Sequence, residues 1–439
     1  MYIDMANTPI CDTVINEQCR KLGINNIGKS TIREIVGLVN CIEKETGEKF
    51  VRMEMGVPSL KPPKVGTDAE IKALNDGVAA IYPMVDGVPE LKKEASRFVK
   101  NFIGVDISPE CCIPTVGSMQ GGYATFLTCS NLDPQKDTAL FIDPGFPVQK
   151  QQFNVMGHKY ESFDVYDYRG EKLRDKLESY LSKGNINSII YSNPNNPSWI
   201  CFTDDELKII AEVADKYDAI VIEDLAYFRM DFRDDTYHPG FPPYQASVAN
   251  YTDNYILMIS GSKAFSYAGQ RVAVVAISDK VFHRSYPNLQ KRFGRDQFGA
   301  TFVMRIIYAL SSGVCHSAQY GMAAMLKAAN DGTFNFIKDI EEYGKRAEKM
   351  KKLFIDAGFN IVYDKDIDKD LADGFYFTIT YKDWTGDKLL EELLHYGISA
   401  ITLDNTGSKK YGLRACVSQI TPDKMELLEK RLEIYKQNH

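Results

Sequence analysis

One lysine, Lys263, stands in a setting that suits covalent chemistry at a carbonyl group. It follows residues 255–259, an apolar segment short and β-rich enough to predict a buried strand. Ser260 and Ser262 precede the lysine and Arg271 follows it. Burial of an amine beside a cation favours its neutral, nucleophilic form, while hydroxyls and a guanidinium bind phosphate. The segment predicts a lysine nucleophile beside an anion site; the alternative is a surface lysine in a serine-rich turn.

Two more predicted strands also end in polar side chains. Residues 188–191 lead into Ser192-Asn193-Pro194-Asn195-Asn196-Pro197-Ser198, and residues 219–222 lead into Glu223-Asp224-Leu225-Ala226-Tyr227. In open α/β sheets, ligands bind in the crevice outside the carboxyl ends of the strands. Three strand exits of this kind, counting the one before Lys263, therefore predict a single site.

The elements that must position these groups alternate along the chain. Strands are predicted at residues 138–142, 188–191, 219–222, 255–259 and 272–277. Helices are predicted at residues 30–46, stopped by Gly47, and at 203–217, where Thr203-Asp204-Asp205-Glu206 forms a capping box. This alternation predicts an α/β fold with a mostly parallel central sheet and helices on both faces.

A second, smaller α+β domain is expected from the two ends of the chain. Residues 319–358 are helix-rich, and short strands are predicted at 375–380 and 412–417. We therefore assign residues 1–62 to an N-terminal arm and part of the smaller domain. Residues 63–318 form the large domain, and residues 319–439 form the smaller C-terminal domain.

Several motifs occur in a fixed order over nearly the whole chain, and their ordered set resembles the class I/II aminotransferases. These are pyridoxal-phosphate enzymes of fold type I, in the aspartate aminotransferase superfamily. The motifs are Met55-Gly56-Val57-Pro58, Tyr82-Pro83-Met84-Val85-Asp86-Gly87-Val88-Pro89-Glu90-Leu91, Thr115-Val116-Gly117-Ser118-Met119-Gln120-Gly121, Asp143-Pro144-Gly145-Phe146, the asparagine–proline run, Asp224-Leu225-Ala226-Tyr227, the lysine segment, Gly374-Phe375-Tyr376-Phe377 and Leu413-Arg414.

The resemblance implies the cofactor pyridoxal 5′-phosphate and assigns roles around its ring. Lys263 would form the Schiff base and then carry a proton between the substrate α-carbon and the cofactor. Asp224 would pair with the pyridinium nitrogen, and Tyr227 and Asn196 would donate hydrogen bonds to the phenolic oxygen. Phe146 would stack on the ring. The alternatives are a helix cap for Asp224, a turn residue for Asn196 and a core aromatic for Phe146.

The phosphate is expected at a helix N-terminus. By resemblance Ser118, Met119 and Gln120 form the binding turn, ahead of a helix predicted at residues 123–129, whose amides and dipole suit a dianion. Ser260, Ser262 and Arg271 complete the anchor. The turn is neither Gly-x-Gly-x-x-Gly nor a Walker motif, which argues against a dinucleotide or nucleotide.

The remaining roles concern the substrate and a second subunit. By resemblance Arg414 would bind the substrate α-carboxylate as a bidentate fork, and Gly56 and Asn196 would contact the substrate. Tyr82 would reach the cofactor phosphate of a neighbouring subunit, which implies a homodimer with shared active sites.

The chain departs from the family pattern at two glycine positions. Trp199 stands where the family usually has glycine after the asparagine–proline run, and Ala273 stands two residues after Arg271. We expect Trp199 to adopt a backbone conformation open to non-glycine residues, with its indole lining the entrance. The segment 229–251 is expected to carry substrate-specific variation.

Composition indicates an ordinary enzyme of the cytoplasm. The chain has 439 residues and a formal net charge of −7, which argues against a nucleic-acid surface. Its nine cysteines are odd in number and lack Cys-x-x-Cys spacing, so we expect reduced thiols and no metal. Residues 1–5 do not resemble a signal peptide, and no apolar run is long enough to span a membrane.

The expected activity is transfer of an amino group from an L-amino acid to a 2-oxo acid. One alternative is a lyase, decarboxylase or synthase of the same fold type, because the cofactor-binding residues would serve each of these reactions. Another is a non-catalytic ligand-sensing protein that keeps the fold.

Overall fold

The computed structural model describes residues 8–235 and 237–439, so residues 1–5, considered above for a targeting signal, lie outside the described ranges. The chain forms two compact units. The larger comprises Leu60–Asn195 and Cys201–Ile340, and the smaller comprises the chain up to Ser59, Asn196–Ile200 and Glu341–His439. The larger unit thus extends beyond the predicted boundary at 318.

Helices account for much of both units. In chain order they are α1 (Asp12–Leu22), α2 (Ile32–Thr46), α3 (Lys64–Asn75), α4 (Pro89–Ile103), α5 (Gly117–Cys129), α6 (Pro147–Met156), α7 (Lys172–Leu181), α8 (Asp204–Lys216), α9 (Asp279–His283), α10 (Pro287–Phe293), α11 (Phe298–Thr301), α12 (Tyr308–Ser311), α13 (His316–Asn330), α14 (Phe336–Asp356), α15 (Gly386–His395) and α16 (Pro422–Asn438). A π-helical stretch, Phe302–Ile307, joins α11 to α12. Helix α13 packs against α3 and α4, which is why it belongs to the larger unit.

The strands are mostly short. In chain order they are β1 (Val51–Arg52), β2 (Cys112–Thr115), β3 (Thr138–Asp143), β4 (Lys159–Asp164), β5 (Ile186–Ser192), β6 (Ile220–Leu225), β7 (Tyr255–Ser260), β8 (Ala273–Ile277), β9 (Asn360–Ile361), β10 (Lys365–Asp366), β11 (Lys369–Asp370), β12 (Tyr376–Thr380), β13 (Ile398–Ser399), β14 (Ile401–Thr402) and β15 (Leu413–Cys416).

The larger unit is built on a seven-stranded sheet with the order β2-β8-β7-β6-β5-β3-β4. The pairs from β7 to β4 are all parallel, whereas β8 runs antiparallel to both β7 and β2. Helices flank the sheet, with α5 on β7 and β8, and α8 on β6. The predicted mostly parallel α/β fold is confirmed.

The central strands are buried on both faces of the sheet, and alternate residues of each strand belong to the core on the same face. Strands β3 and β5 to β8 are buried at every residue. Alternate residues such as Ile222, Met258 and Val275 share one apolar cluster with Phe126 of α5. Because alternate side chains share a face, Asp224 projects on the same side of β6 as Ile222.

The smaller unit has its own sheets. One sheet is antiparallel, with the order β14-β15-β12-β9. A parallel pair, β1-β13, and a hairpin, β10-β11, form two further, separate sheets. Its helix α2 begins after the capping box of Thr31 and Glu34 and ends at Gly47, as the sequence predicts within one or two residues. In the part of the chain that the structure describes, no helix has both the length and the apolar character needed to cross a bilayer.

Candidate active site

The three polar strand exits lie side by side in the larger unit. Strands β5, β6 and β7 are neighbours and parallel, with Ser192 beside Asp224, and Leu225 beside Ile259. Parallel strands that are adjacent in a sheet end at the same edge. The structure therefore places Asp224 and the lysine-bearing loop that follows β7 at one edge of the sheet.

Asp224 is a buried carboxylate with neutral hydrogen-bond donors. It is 6% exposed; Gln149 Nε2 donates to Oδ2 over 2.9 Å, and the Ala226 N–H donates to Oδ1 over 3.1 Å. Burial raises the pKa of Asp224 to about 6. Within the described ranges no lysine or arginine pairs with it. A carboxylate in this position is suited to a cationic partner, such as a protonated ring nitrogen.

The loop after β7 holds Lys263 in a compact turn. The Ser266 N–H donates to the Lys263 carbonyl over 3.3 Å, and the Tyr267 N–H donates to the Gly261 carbonyl over 3.0 Å. The Tyr267 hydroxyl donates to the buried carboxylate of Glu70. The loop thus reaches from the sheet to helix α3, and Lys263 itself is half-buried.

Hydrogen-bond donors converge at the N-terminus of α5. Gly117 has φ +64°, and a Cβ at this position would lie 2.4 Å from Arg271 Nη2, so only glycine lets the guanidinium approach so closely. Ser118 Oγ is buried and finds no hydrogen-bond partner among residues 8–235 and 237–439. A helix N-terminus, a guanidinium and an unpaired hydroxyl together suit a phosphate dianion.

The other predicted phosphate residues are placed differently. The Ser262 N–H donates to Ser260 Oγ over 3.1 Å, which ties the two serines together at the end of β7. Gln120 uses its side chain within the protein: its Oε1 accepts from the Val116 N–H, and its Nε2 donates to Ser311 Oγ. Met119 offers only backbone, and its carbonyl accepts from Gln152 Nε2 over 2.8 Å.

Two aromatic residues lie near these groups in the chain. Tyr227 follows β6 and is 4% exposed, while Phe146 is half-buried at the N-cap of α6, the helix that carries Gln149. Asn195 Nδ2 donates to the Pro144 carbonyl over 2.8 Å and so ties the end of β5 to the turn before Phe146. The roles predicted for Tyr227 and Phe146 stay predictions.

A second buried acid lies on the opposite face of β6. Glu223 accepts hydrogen bonds from Ser247 Oγ at 2.5 Å, from the Val248 N–H at 3.3 Å and from Asn193 Nδ2 at 3.3 Å. Burial raises the pKa of Glu223 to about 7. These partners belong to the ends of neighbouring loops, so Glu223 fixes the backbone around the strand exits.

In the smaller unit the structure brings Arg414 and Asn196 together. Arg414 is 1% exposed; its Nη2 donates to the Glu54 carbonyl over 2.6 Å, and its Nη1 donates to Asn196 Oδ1 over 3.4 Å. Its Nε finds no acceptor in the described part of the chain. A buried guanidinium with remaining donors and no carboxylate partner is suited to bind a carboxylate.

The remaining predicted substrate residue, Gly56, lies against Tyr376. A Cβ on Gly56 would lie 2.0 Å from the Tyr376 hydroxyl, so Tyr376 can occupy this position only because residue 56 has no side chain. The Tyr376 ring centroid lies 4.5 Å from Cζ of Arg414. Gly56 is thus linked to Arg414 through Tyr376.

The expectation for Trp199 was wrong. Its backbone has φ +66°, the left-handed conformation that favours glycine, and its side chain is 0% exposed. The indole is buried against Gly374, where a Cβ would lie 2.0 Å from Trp199 Cε2. Trp199 therefore keeps a glycine-like turn and packs in the interior of the smaller unit.

Sequence reasoning missed Gln149 and the contact of Tyr376 with Arg414. Gln149 lies one helical turn after Phe146, but the sequence carries no sign that this turn faces β6. Tyr376 belongs to a motif quoted above, and the register of β12 and β15 pairs it with Cys416. Because diagonal neighbours share a face, Tyr376 lies on the same side as Arg414, a relation that needs the strand pairing.

Among residues 8–235 and 237–439, Glu110, Cys111 and His283 form a cluster of possible metal ligands. Ligand atoms of Glu110, Cys111 and His283 lie within 4.8 Å of one another. Burial raises the pKa of the Cys111 thiol to about 12, which disfavours the thiolate that metals bind. The expectation of no metal stays a prediction.

The segment 229–251 folds around a buried cation, apart from Thr236, which lies outside the described residues. Arg229 has φ +59° and is 3% exposed, and its Nη2 donates to the Pro243 carbonyl over 3.0 Å. Burial lowers the pKa of Arg229 to about 10. Its influence on substrate choice stays a prediction.

The fold is α/β, and Lys263, Asp224 and the donor groups at the start of α5 lie near the carboxyl ends of its central strands. A sequence model of the family "Aminotransferase class I and II" matches residues 48–432, and the chain belongs to this family. Members use pyridoxal phosphate, and the protein is an aminotransferase, an enzyme that moves an amino group from an amino acid to a 2-oxo acid.

Individual relatives agree with this assignment. A probable aspartate aminotransferase of Methanocaldococcus jannaschii is 25% identical over 77% of this chain and 88% of its own length. An LL-diaminopimelate aminotransferase of Natranaerobius thermophilus is 28% identical over 74% of this chain and 76% of its own. The solved structure of an alanine aminotransferase from Pyrococcus furiosus shares the fold, with a TM-score of 0.75, 19% identity and coverage of 95% and 99%.

Proposed function

We propose that this chain binds pyridoxal 5′-phosphate in its larger unit and uses Lys263 to move a proton during amino transfer. The observation that carries the proposal is the arrangement of residues at the carboxyl ends of β6 and β7. There Asp224, a buried carboxylate with no described lysine or arginine as its partner, lies near the end of β6, and the loop that carries Lys263 follows the adjacent strand β7. The bound cofactor supplies a carbonyl carbon and a ring that accepts electrons.

The residues of the chain divide the work. Asp224 stabilises a proton on the ring nitrogen, because the ionised carboxylate is desolvated and held by Gln149. Ser118, the first amides of α5, Ser260, Ser262 and Arg271 bind the phosphate. Lys263 Nζ would accept the proton from the substrate α-carbon and donate it to the carbon of the cofactor that carries the carbonyl group. Tyr227 and Asn196 donate hydrogen bonds that orient the ring's phenolic oxygen.

Arg414 is proposed to bind the α-carboxylate of the substrate. The guanidinium is fixed by the Glu54 carbonyl and the Asn196 amide oxygen, and it retains donors for a bidentate contact. The names of the relatives support L-aspartate, L-alanine and LL-diaminopimelate as the first donors to test.

The assembly is proposed to be a homodimer with shared active sites. Tyr82 is 91% exposed and is flanked by exposed apolar side chains, Ile81 at 61% and Met84 at 60%. Contiguous exposed apolar groups are typical of a protein interface. A cytoplasmic location is proposed as well, supported by the odd number of cysteines without paired spacing.

Borohydride reduction of the holoprotein, followed by peptide mass spectrometry, tests the role of Lys263. We expect a pyridoxyl group on the Lys263 peptide, its loss in Lys263→Ala, and its retention in the exposed-lysine control Lys280→Ala. A label on another lysine would contradict the assignment.

Incubation of the unreduced holoprotein with each amino donor distinguishes transfer from other reactions. Accumulation of pyridoxamine phosphate is expected for a true donor, whereas ammonia or carbon dioxide release without it would indicate lyase or decarboxylase chemistry. Mixing Tyr82→Ala and Lys263→Ala subunits tests sharing: mixed dimers should regain activity, and no gain on mixing would refute a shared site.

A further inference from the structure

The segment that carries Trp199 is held in an unusual conformation by its indole. The backbone has φ +66°, which costs free energy for any residue with a Cβ. Such conformations persist only where the surrounding structure over-determines them. Here the indole is 0% exposed and fills the space over Gly374 that a Cβ would need. The packing of this ring outweighs the local backbone cost.

The indole does not end in apolar packing alone, because its neighbour is Tyr376. The two ring centroids are 6.1 Å apart with an interplanar angle of 68°, an edge-to-face arrangement. The Tyr376 hydroxyl lies against Gly56, where a Cβ would lie 2.0 Å away. Trp199 and Gly56 therefore confine Tyr376 from two sides.

Tyr376 in turn faces the guanidinium of Arg414 at 4.5 Å from Cζ to ring centroid. This contact is a cation–π interaction in a buried setting, because Arg414 is 1% exposed and Tyr376 is 2% exposed. The guanidinium also donates to the Glu54 carbonyl. The ring faces the plane of the guanidinium, and the Glu54 carbonyl and the Asn196 amide oxygen accept hydrogen bonds from its two terminal nitrogens.

We propose that Trp199 and Tyr376 are positioning residues for carboxylate binding: the indole sets the Tyr376 ring, and the ring sets the plane of the Arg414 guanidinium. The inference rests on the proposed function in one respect, namely that Arg414 binds the substrate carboxylate. A bidentate contact requires the guanidinium and carboxylate planes to coincide, so a tilted fork loses one of its two hydrogen bonds.

Carboxylate affinity of the holoenzyme is the direct test, with acetate and maleate as probes in calorimetric titrations. Trp199→Gly suits the left-handed backbone and removes the indole, and Tyr376→Leu removes the ring; each is expected to weaken carboxylate binding about tenfold, the effect of one lost charge-assisted hydrogen bond. The matched controls keep the rings: Tyr376→Phe is expected to bind like the unaltered protein, and Trp199→Phe to recover most of the loss.

A purely structural role would not single out carboxylates. The affinity for pyridoxal phosphate is therefore measured in the same variants, and we expect it to stay within about twofold, since the residues proposed to bind the phosphate belong to the larger unit. A parallel loss of both affinities would overturn the positioning role. If Trp199→Gly does not fold, Trp199→Leu keeps apolar volume without an aromatic edge, and unchanged carboxylate affinity in that variant also overturns it.

Arg414→Ala separates this inference from the function on which it rests. If that variant binds acetate and maleate normally, the role proposed for Arg414 fails. If it loses binding while the Trp199 and Tyr376 variants keep it, Arg414 retains its role and the positioning inference alone is wrong.

Discussion

Two buried carboxylates of the larger unit, Glu206 and Asp224, are treated in opposite ways. Arg169 donates to Glu206 through Nε at 2.7 Å and Nη2 at 2.8 Å, and the Gly170 N–H adds a third bond at 2.9 Å. Burial pushes the pKa of Glu206 up, but Arg169 and the backbone donors outweigh it, and the pKa is lowered. Asp224 has only neutral donors, so burial prevails and its pKa is raised.

The contrast separates a structural acid from one suited to a ligand. Glu206 caps α8 together with Thr203, and its charge is matched within the chain. No described lysine or arginine pairs with Asp224. A cationic ligand would provide the positive charge that Arg169 provides for Glu206. Buried acids can therefore be sorted by asking whether the chain itself provides the counter-charge.

The largest effect is expected from Glu206→Ala. The change removes the carboxylate that accepts two hydrogen bonds from Arg169 and also removes a helix cap. Loss of one member of a buried ion pair costs about 3–5 kcal/mol. Urea unfolding of the apoprotein measures this loss. The affinity for pyridoxal phosphate of the folded variant should be unchanged; a weakened affinity with normal stability would reverse the roles assigned to the two acids.

Asp224→Ala is expected to act on ligand binding instead. Removing one partner of a buried charge pair costs about 2–5 kcal/mol, which corresponds to at least a thirtyfold loss of affinity for pyridoxal phosphate. The apoprotein should be as stable as before or more so, because an uncompensated carboxylate is gone. Asp224→Asn is the matched control that keeps the shape without the charge, and normal affinity in it would exclude an electrostatic role.

The pH dependence of apoprotein stability should expose the same difference. Asp224 and Glu223 titrate at about 6 and about 7 in the folded state, above their unfolded values. At these two acids the folded state therefore binds more protons. Their contribution to stability is fully present below about pH 4 and is lost as pH rises toward 7, by about 3 kcal/mol for Asp224. Asp224→Asn should flatten the lower part of this curve and Glu223→Gln the upper part. If the difference in stability between a variant and the unaltered protein stays constant over this range, the raised pKa of the substituted acid is contradicted.

Gln149→Met is expected to give the smallest change. Methionine keeps the approximate volume but donates no hydrogen bond to Asp224 Oδ2, which costs about 1 kcal/mol and roughly fivefold in cofactor affinity. It should also raise the pKa of Asp224 further, so that stability is lost at a higher pH than in the unaltered protein. Gln151→Met, at an exposed position of the same helix, is the control that should leave both readings unchanged.

Local signals predicted most of the larger unit. The capping box at Thr203 and Glu206 fixes the start of α8, and the predicted strands match β3 and β5 to β8 within three residues at each end. Asp224 and Lys263 are predicted as site residues because they follow apolar segments of the sequence. These features depend on neighbours in the chain, which the sequence displays.

What could not be predicted depends on distant pairs. Gln149 reaches Asp224 only once α6 packs near β6, and Tyr376 reaches Arg414 only through the register of β12 and β15. Trp199 was misjudged because its left-handed backbone depends on the space that Gly374 leaves open. The boundary at 318 was misplaced because α13 packs with α3 and α4.

Glu223 and Asp224 are consecutive residues of strand β6, so their side chains project from opposite faces of the sheet. Inserting or deleting one residue earlier in this strand would exchange the two acids, sending the loop-binding acid to the ligand side. Point substitutions among the aliphatic residues of β6 are therefore expected to accumulate over evolutionary time, whereas changes in its length are not. Variation in length should be confined to the connections on either side, after α8 and before β7.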